Sequence, residues 1–157
     1  MKFPNENELR DSLRPDMTDD DKDEERAVLA ANAAFYRAFN AGDYAAMSEI
    51  WAAHSPVACL HPGAPLLIGR EAVLGSWRAM LRGGPGFTLR CDGPKAQLFG
   101  TTAVVYCYEG SDAQPAHLVA TNVFVREDRG WRMVHHHAGP LSNPVPPPAR
   151  KNISTLN

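Results

Sequence analysis

From Glu24 to Asn40, the apolar residues Val28, Ala31, Phe35 and Phe39 recur at helical spacing. Acids sit at the start and Gly42 follows as a stop, which predicts a first helix over this stretch. Asp43 can cap a second, shorter helix carrying Tyr44, Met47, Ile50 and Trp51 on one face and ending before Pro56, so the two helices form a hairpin. A short apolar run from Val57 to His61 is closed by Pro62-Gly63, and another runs from Pro65 to Ile68, predicting a strand, a turn and a second strand-like piece. Helical spacing then returns in Val73, Trp77, Met80 and Leu81, and Gly83-Gly84-Pro85 ends this third helix.

After Pro85 the pattern changes to β structure. Four segments follow: Phe87 to Cys91 continuing towards Leu98, Thr101 to Glu109, Ala116 to Arg126, and Trp131 to Ala138. Turn residues bound each one, with Glu127-Asp128-Arg129-Gly130 as a hairpin loop, so antiparallel connections are expected. Helices first and hairpin-linked strands afterwards is the order of an α+β fold, with the helices gathered on one face of the sheet. Within Thr101 to Glu109, Ala103, Val105, Cys107 and Glu109 share one face while Val104, Tyr106 and Tyr108 share the other. The next strand sets Ala120, Asn122 and Phe124 against Val119, Thr121, Val123 and Val125. Neither face is polar, so both sides of the sheet are expected to be covered. Helices cover one; a second copy of the chain is the simplest cover for the other, predicting a homodimer through the outward face around Tyr106, Tyr108, Val123 and Val125.

A length of 157 residues and 44% hydrophobic content suit one domain with an ordinary core. A net charge of -2 provides no positive field for nucleic acid or an anionic membrane, and neither partner is expected. The N-terminus is charged and contains Pro4, and no apolar stretch resembles a signal peptide or a span, so a cytoplasmic protein is the default. Residues 1–22 are acidic and polar and read as a flexible leader. Residues 142–157 contain Pro144, Pro146, Pro147 and Pro148 and read as an extended Pro-rich tail, leaving 23–141 as the folded domain. Cys59, Cys91 and Cys107 are odd in number and lack CxxC spacing, so they are expected to be reduced packing residues.

Three stretches carry a family resemblance: Phe39-Asn40-Ala41-Gly42-Asp43 at the helix hairpin, Cys59-Leu60-His61-Pro62-Gly63 with Gly69-Arg70-Glu71-Ala72-Val73, and Trp131 to Pro140 with its run of three histidines. Together with the element order, they resemble the nuclear transport factor 2-like superfamily, and specifically its SnoaL-like branch. The resemblance covers roughly Glu25 to Pro140 and implies a cone: a curved antiparallel sheet with three N-terminal helices on its concave face, enclosing a pocket. Ketosteroid isomerase, a member of that superfamily, uses a tyrosine and a protonated aspartate as an oxyanion hole plus an aspartate base. Motif matching puts Phe35 at the tyrosine position, Asn122 at the oxyanion aspartate and His61 near the base, so that constellation is not intact. The last strand also resembles the association domain of calcium/calmodulin-dependent protein kinase, where two alternating histidines precede an arginine; here that position is Ala138.

Five polar residues and one tryptophan are the candidates for chemistry. His61 ends a short strand at what the resemblance implies is the mouth or wall of the pocket, where an imidazole can act as a base or acid, or simply be a satisfied strand-end histidine. Glu109 and Asn122 lie on apolar faces and need partners, each other, a histidine or a ligand. His135 and His137 share one side of a strand, taken to be the helix-facing side with Trp131 and Met133, and His136 takes the other. Such a pair binds a metal only if a third ligand converges, from His61, Glu109 or His117; the spacing does not demand one, and no metal or cofactor is expected. Trp77 is read as a pocket wall, and Arg37, Arg78, Arg82 and Arg90 as solvated. The expectation is that His61, Glu109, Asn122, His135 and His137 share one cavity. It would bind a small, largely apolar molecule, with isomerase, cyclase or hydrolase chemistry through His61. The alternative is a non-catalytic association module with a vestigial pocket. No phosphate loop, serine elbow or Cys-His nucleophile pattern is present.

Overall fold

The computed structural model describes residues 18–112, 114–128 and 130–146. Helix α1 spans Asp19–Ala41, α2 Tyr44–Ile50 and α3 Arg70–Leu81. The strands are β1 (Ala58–Leu60), β2 (Leu67–Ile68), β3 (Leu89–Phe99), β4 (Thr102–Ser111), β5 (Gln114–Glu127) and β6 (Gly130–Val145). They form one six-stranded sheet in the order β2-β1-β6-β5-β4-β3, antiparallel except where β1 runs parallel to β6. The fold is α+β, and the helices lie against one face of the sheet.

Helix α1 starts five residues before the expected Glu24. Thr18 caps it by accepting the Asp21 N–H (3.2 Å) while its own N–H donates to Asp21 Oδ2 (3.0 Å), and three aspartates fill the first turn. The helix therefore takes in residues assigned to the leader from composition; the remaining leader, 1–17, lies outside the described residues. At the other end, Gly42 adopts φ +63°, a left-handed conformation that lets the Gly42 and Asp43 amides close on the Phe39 and Ala38 carbonyls. Asp43 then caps α2 through Ala46 N–H (2.9 Å), so one turn of chain both stops a helix and starts the next.

Strand β6 also outruns its expected end, extending to Val145, so residues 142–145 belong to the sheet and not to the tail; residues 147–157 are not among those described. It tolerates Pro140 and Pro144 there because β1 pairs only as far as His137, leaving one edge of β6 without a ladder beyond that point.

Two side chains pin the connection from α2 to the sheet. The Arg70 guanidinium donates to the carbonyls of Ser48, Trp51 and Ala52 at 2.8–2.9 Å, completing the end of α2. Glu127 accepts the amides of Ala53 (2.8 Å) and Ser55 (2.7 Å) and, at greater length, His54. Against the burial that raises it, a bond from the Ser55 side chain and these amide bonds from Ala53, Ser55 and His54 hold its carboxyl at about 2.

The core fills the space between helices and sheet: Val28, Phe35 and Phe39 from α1, Met47, Val73 and Trp77 from α2 and α3, and Val105, Phe124 and Met133 from the strands. Gly110 is required where β4 meets β5, since a Cβ there would stand 2.9 Å from the Ala116 Cα.

Candidate functional site

Inside this core lies a set of polar side chains, all pointing between α1 and the sheet. Asn32 and Tyr36 are one turn apart on α1, which puts both on its buried face. Across from them stand Cys91 on β3, Cys107 and Glu109 on β4, Asn122 on β5 and His136 on β6. Alternation explains Cys107, Glu109 and Asn122: they occupy the same face as the buried Ala103, Val105, Ala120 and Phe124.

His136 is there for a different reason. Phe124 pairs with Met133 while Val123 pairs with His135, so Val134 is an extra residue on β6, a β-bulge. The bulge reverses the alternation beyond it, and His136, opposite Asn122, becomes the inward residue. This corrects the expectation for His135 and His137. They pair with the outward-facing Val123 and Thr121, lie on the outer side of the sheet with ring centroids 6.4 Å apart, and do not join Trp131 and Met133. The single cavity expected to hold both of them with Glu109 and Asn122 is not formed.

The hydrogen bonds define where the protons lie. Asn122 Nδ2 donates to Asn32 Oδ1 (2.7 Å) and to the Tyr36 hydroxyl oxygen (3.3 Å), so Asn122 Oδ1, 2.6 Å from His136 Nδ1, accepts from that nitrogen. Burial, aided by the neighbouring histidines, pulls His136 down to about 3, so the ring is neutral and its Nε2 is bare. Tyr36 spends its hydroxyl proton on Glu109 Oε1 (2.7 Å), and its oxygen also stands 3.1 Å from the Cys107 thiol. Asn32 Nδ2 reaches Cys91 Sγ at 3.6 Å. Glu109 is 2% exposed, and burial raises it to about 7 in spite of the Tyr36 bond, which lowers it. Among the described residues nothing donates to its second oxygen.

His61 follows β1 at the edge of this interior. Its Nε2 is 3.0 Å from Ser76 Oγ on α3, its ring meets Trp77 edge-on at 4.6 Å and stands 6.4 Å from His136, and burial lowers its pKa. Cys59, whose thiol burial pushes up to about 12, lies beside the ring. Trp77 is buried against Phe35, Phe39, His61 and His136, and its indole N–H has no partner among the described residues, nor does that of Trp51. Thus the structure places His61, Trp77, Glu109 and Asn122 on one side of the sheet, and the chain His61–His136–Asn122–Tyr36–Glu109 connects them.

Four contributors escaped the sequence reading: Asn32, Tyr36, Ser76 and His136. Asn32 was findable, since it interrupts the apolar stripe of Val28, Phe35 and Phe39; His136 was not. Two open grooves, each about 580 Å³, lie on the outer side of α3 between Ile68 and Gly75 and between Tyr44 and Arg78, and neither is lined by His61, Glu109 or Asn122. Among the described residues no three His, Cys, Asp or Glu side chains converge as metal ligands, and His135 and His137 supply two at most. All three cysteines are free.

The model of the SnoaL-like domain matches residues 28–143. The chain belongs to that family. This SnoaL-like chain is 32% identical to a proposed dehydratase of the NTF2-like family from Streptomyces avermitilis, with a TM-score of 0.71 over 78% of this chain and 99% of that one. It is 38% identical to a protein from Thiobacillus denitrificans, described as a proposed calcium/calmodulin-dependent protein kinase type II association domain, with a TM-score of 0.62 over 71% and 93% of the two chains. The F-box protein SKIP8 of Arabidopsis thaliana is 28% identical over 115 residues; that match takes in 72% of this chain, which spans about half the relative, 49% of its length. The SnoaL-like match covers all the interior polar residues. No helix among the described residues is long and apolar enough to cross a membrane.

Proposed function

We propose that the interior of the cone is a binding site for a small, largely apolar molecule, on which Glu109 and His61 move protons. The observation that carries this is Glu109: a carboxyl buried among apolar side chains, titrating at about 7, with one oxygen engaged by Tyr36 and the other free. A group that changes charge near neutrality gives up and takes back a proton with little cost, the property a general acid needs. His61, kept neutral by burial at the edge of the same interior, is the matching base. The bare Nε2 of His136 and the unpartnered Trp77 N–H supply one acceptor and one donor to orient a ligand. Loss of water from a β-hydroxy ketone, in which His61 takes the α-proton and Glu109 protonates the departing hydroxyl, or migration of the double bond of an unsaturated ketone, is chemistry such a pair performs, and the relative described as a proposed dehydratase supports the first.

The test is proton exchange. In deuterated buffer with a panel of cyclic ketones and β-hydroxy ketones, the wild-type protein should speed the loss of the α-proton signal, and Glu109→Gln and His61→Ala should abolish the acceleration. A panel on which wild type and Glu109→Gln are indistinguishable overturns the proposal.

A second reading is favoured by the outward face, where Tyr106, Tyr108 and Val119 are each about 40% exposed beside Val123, His135 and His137. Exposed aromatic rings on the outer face of the sheet support self-association through that face, as does the resemblance to an association domain. Val123→Lys should turn a dimer into a monomer by light scattering, because it puts an unpaired charge into the contact. A wild-type chain that is already monomeric at micromolar concentration excludes this reading.

A further inference from the structure

We infer that Ser76 is a positioning residue that locks His61 in the Nε2–H tautomer, so that Nδ1 is the nitrogen left to accept a proton. The Ser76 hydroxyl donates to the Val73 carbonyl at 2.8 Å, a bond back to the preceding turn of α3. A serine has only one proton to give, so towards His61, 3.0 Å away, its oxygen acts as the acceptor, and His61 Nε2 carries the hydrogen. Burial keeps the ring neutral, which leaves Nδ1 bare.

The local structure supports this geometry. Gly69, at φ +89° and bonded to the Val57 carbonyl, starts α3 beside β1, so the helix brings Ser76 under the histidine that follows that strand. Trp77, the next residue, meets the imidazole edge-on and limits its rotation. Cys59 also lies beside the ring, with Sγ 4.0 Å from Nδ1 and 3.8 Å from Nε2, and burial holds its thiol protonated up to about pH 12, so it brings no charge to either nitrogen. The two interior histidines are thereby held in opposite tautomers: His136 has its hydrogen on Nδ1, set by Asn122, and His61 has its hydrogen on Nε2, set by Ser76. This assignment refines the acid–base reading of the site and rests on it for its functional meaning, although the tautomer itself is measured without any ligand.

Protein labelled with ¹⁵N-histidine and observed through two-bond proton–nitrogen correlations reports the tautomer, since the protonated nitrogen and the bare one resonate far apart; the spectrum of His61→Gln assigns the signals. In wild type, His61 should show a bare Nδ1 and a protonated Nε2. In Ser76→Ala the two His61 shifts should move towards each other as the tautomers interconvert, His136 should stay unchanged, and Ser76→Thr should restore the wild-type pattern. A wild-type His61 protonated at Nδ1, or shifts that Ser76→Ala leaves in place, overturns the inference. Should Ser76→Ala fail to fold, the wild-type tautomer and the Ser76→Thr spectrum still decide it. Ketone exchange can fail while this pattern holds, in which case the proposed activity falls and the tautomer assignment stands.

Discussion

Glu109 and Glu127 are carboxylates on neighbouring strands, both largely shielded from solvent, yet Glu109 is raised to about 7 and Glu127 lowered to about 2. Glu127, at the rim, accepts three backbone amides from the loop after α2; Glu109, in the interior, accepts one tyrosine hydroxyl. Burial raises both. The difference is how many donors answer it: the Ser55 side chain and three loop amides keep Glu127 charged, while one hydroxyl leaves Glu109 at about 7. The first carboxylate holds a loop in place and has no capacity left over. The second is under-bonded, which is the property the proposed proton transfer draws on.

Removing the fully bonded carboxylate should have the largest effect. Glu127→Ala leaves three loop amides without their acceptor and should cost roughly 3 to 5 kcal/mol, read by urea denaturation at pH 7. The wild-type protein should also lose stability as pH falls from about 4.5 to about 2, because across that window the unfolded carboxyl takes a proton that the folded one refuses. The variant should lack this limb. A loss below about 1 kcal/mol would mean that water replaces the carboxylate, and the contrast between the two sites would disappear.

Glu109→Gln should have the next largest effect and the opposite pH dependence. The folded carboxyl keeps its proton up to about 7, whereas the unfolded chain releases it near 4.5. Between those values the native state binds more protons, so its stability falls as pH rises. The stability of Glu109→Gln relative to wild type should therefore improve by about 3 kcal/mol from pH 4 to pH 8, measured by denaturation at both. A difference that does not change with pH would show that Glu109 is ionised throughout.

Tyr36→Phe should have the smallest effect on stability, about 1 to 2 kcal/mol, and tests the role of donor count directly. It deletes the one donor to Glu109, so the midpoint of the Glu109 carboxyl carbon signal in an NMR titration should rise above about 7. A midpoint that stays or falls would show that donor count does not set this pKa.

Much of this arrangement was legible before any fold was known. The turns at Gly42 and Gly83, the helical stripe of Val28, Phe35 and Phe39, and the period-two faces of β4 and β5 are local, and each is written in consecutive residues. That is why Glu109 and Asn122 were identified as inward-facing candidates from alternation alone, and why His61 could be placed at a strand end. Tyr36 was not legible, because the motif puts the tyrosine position at Phe35, one residue away. Both residues pack into the core, Phe35 in the aromatic cluster and Tyr36 with its hydroxyl on Glu109.

The elements, their order and the faces of the regular strands follow from local pattern, because helix and strand periods are properties of one segment of chain. Which histidine of the Trp131 to Pro140 stretch enters the core depends on how two strands pair. A bulge at Val134 belongs to the pairing of β5 with β6, not to β6 alone, and nothing in the run His135-His136-His137 records it. One unpaired residue exchanges the inner and outer faces for everything that follows, so the site contains His136 and the outer surface carries its two neighbours.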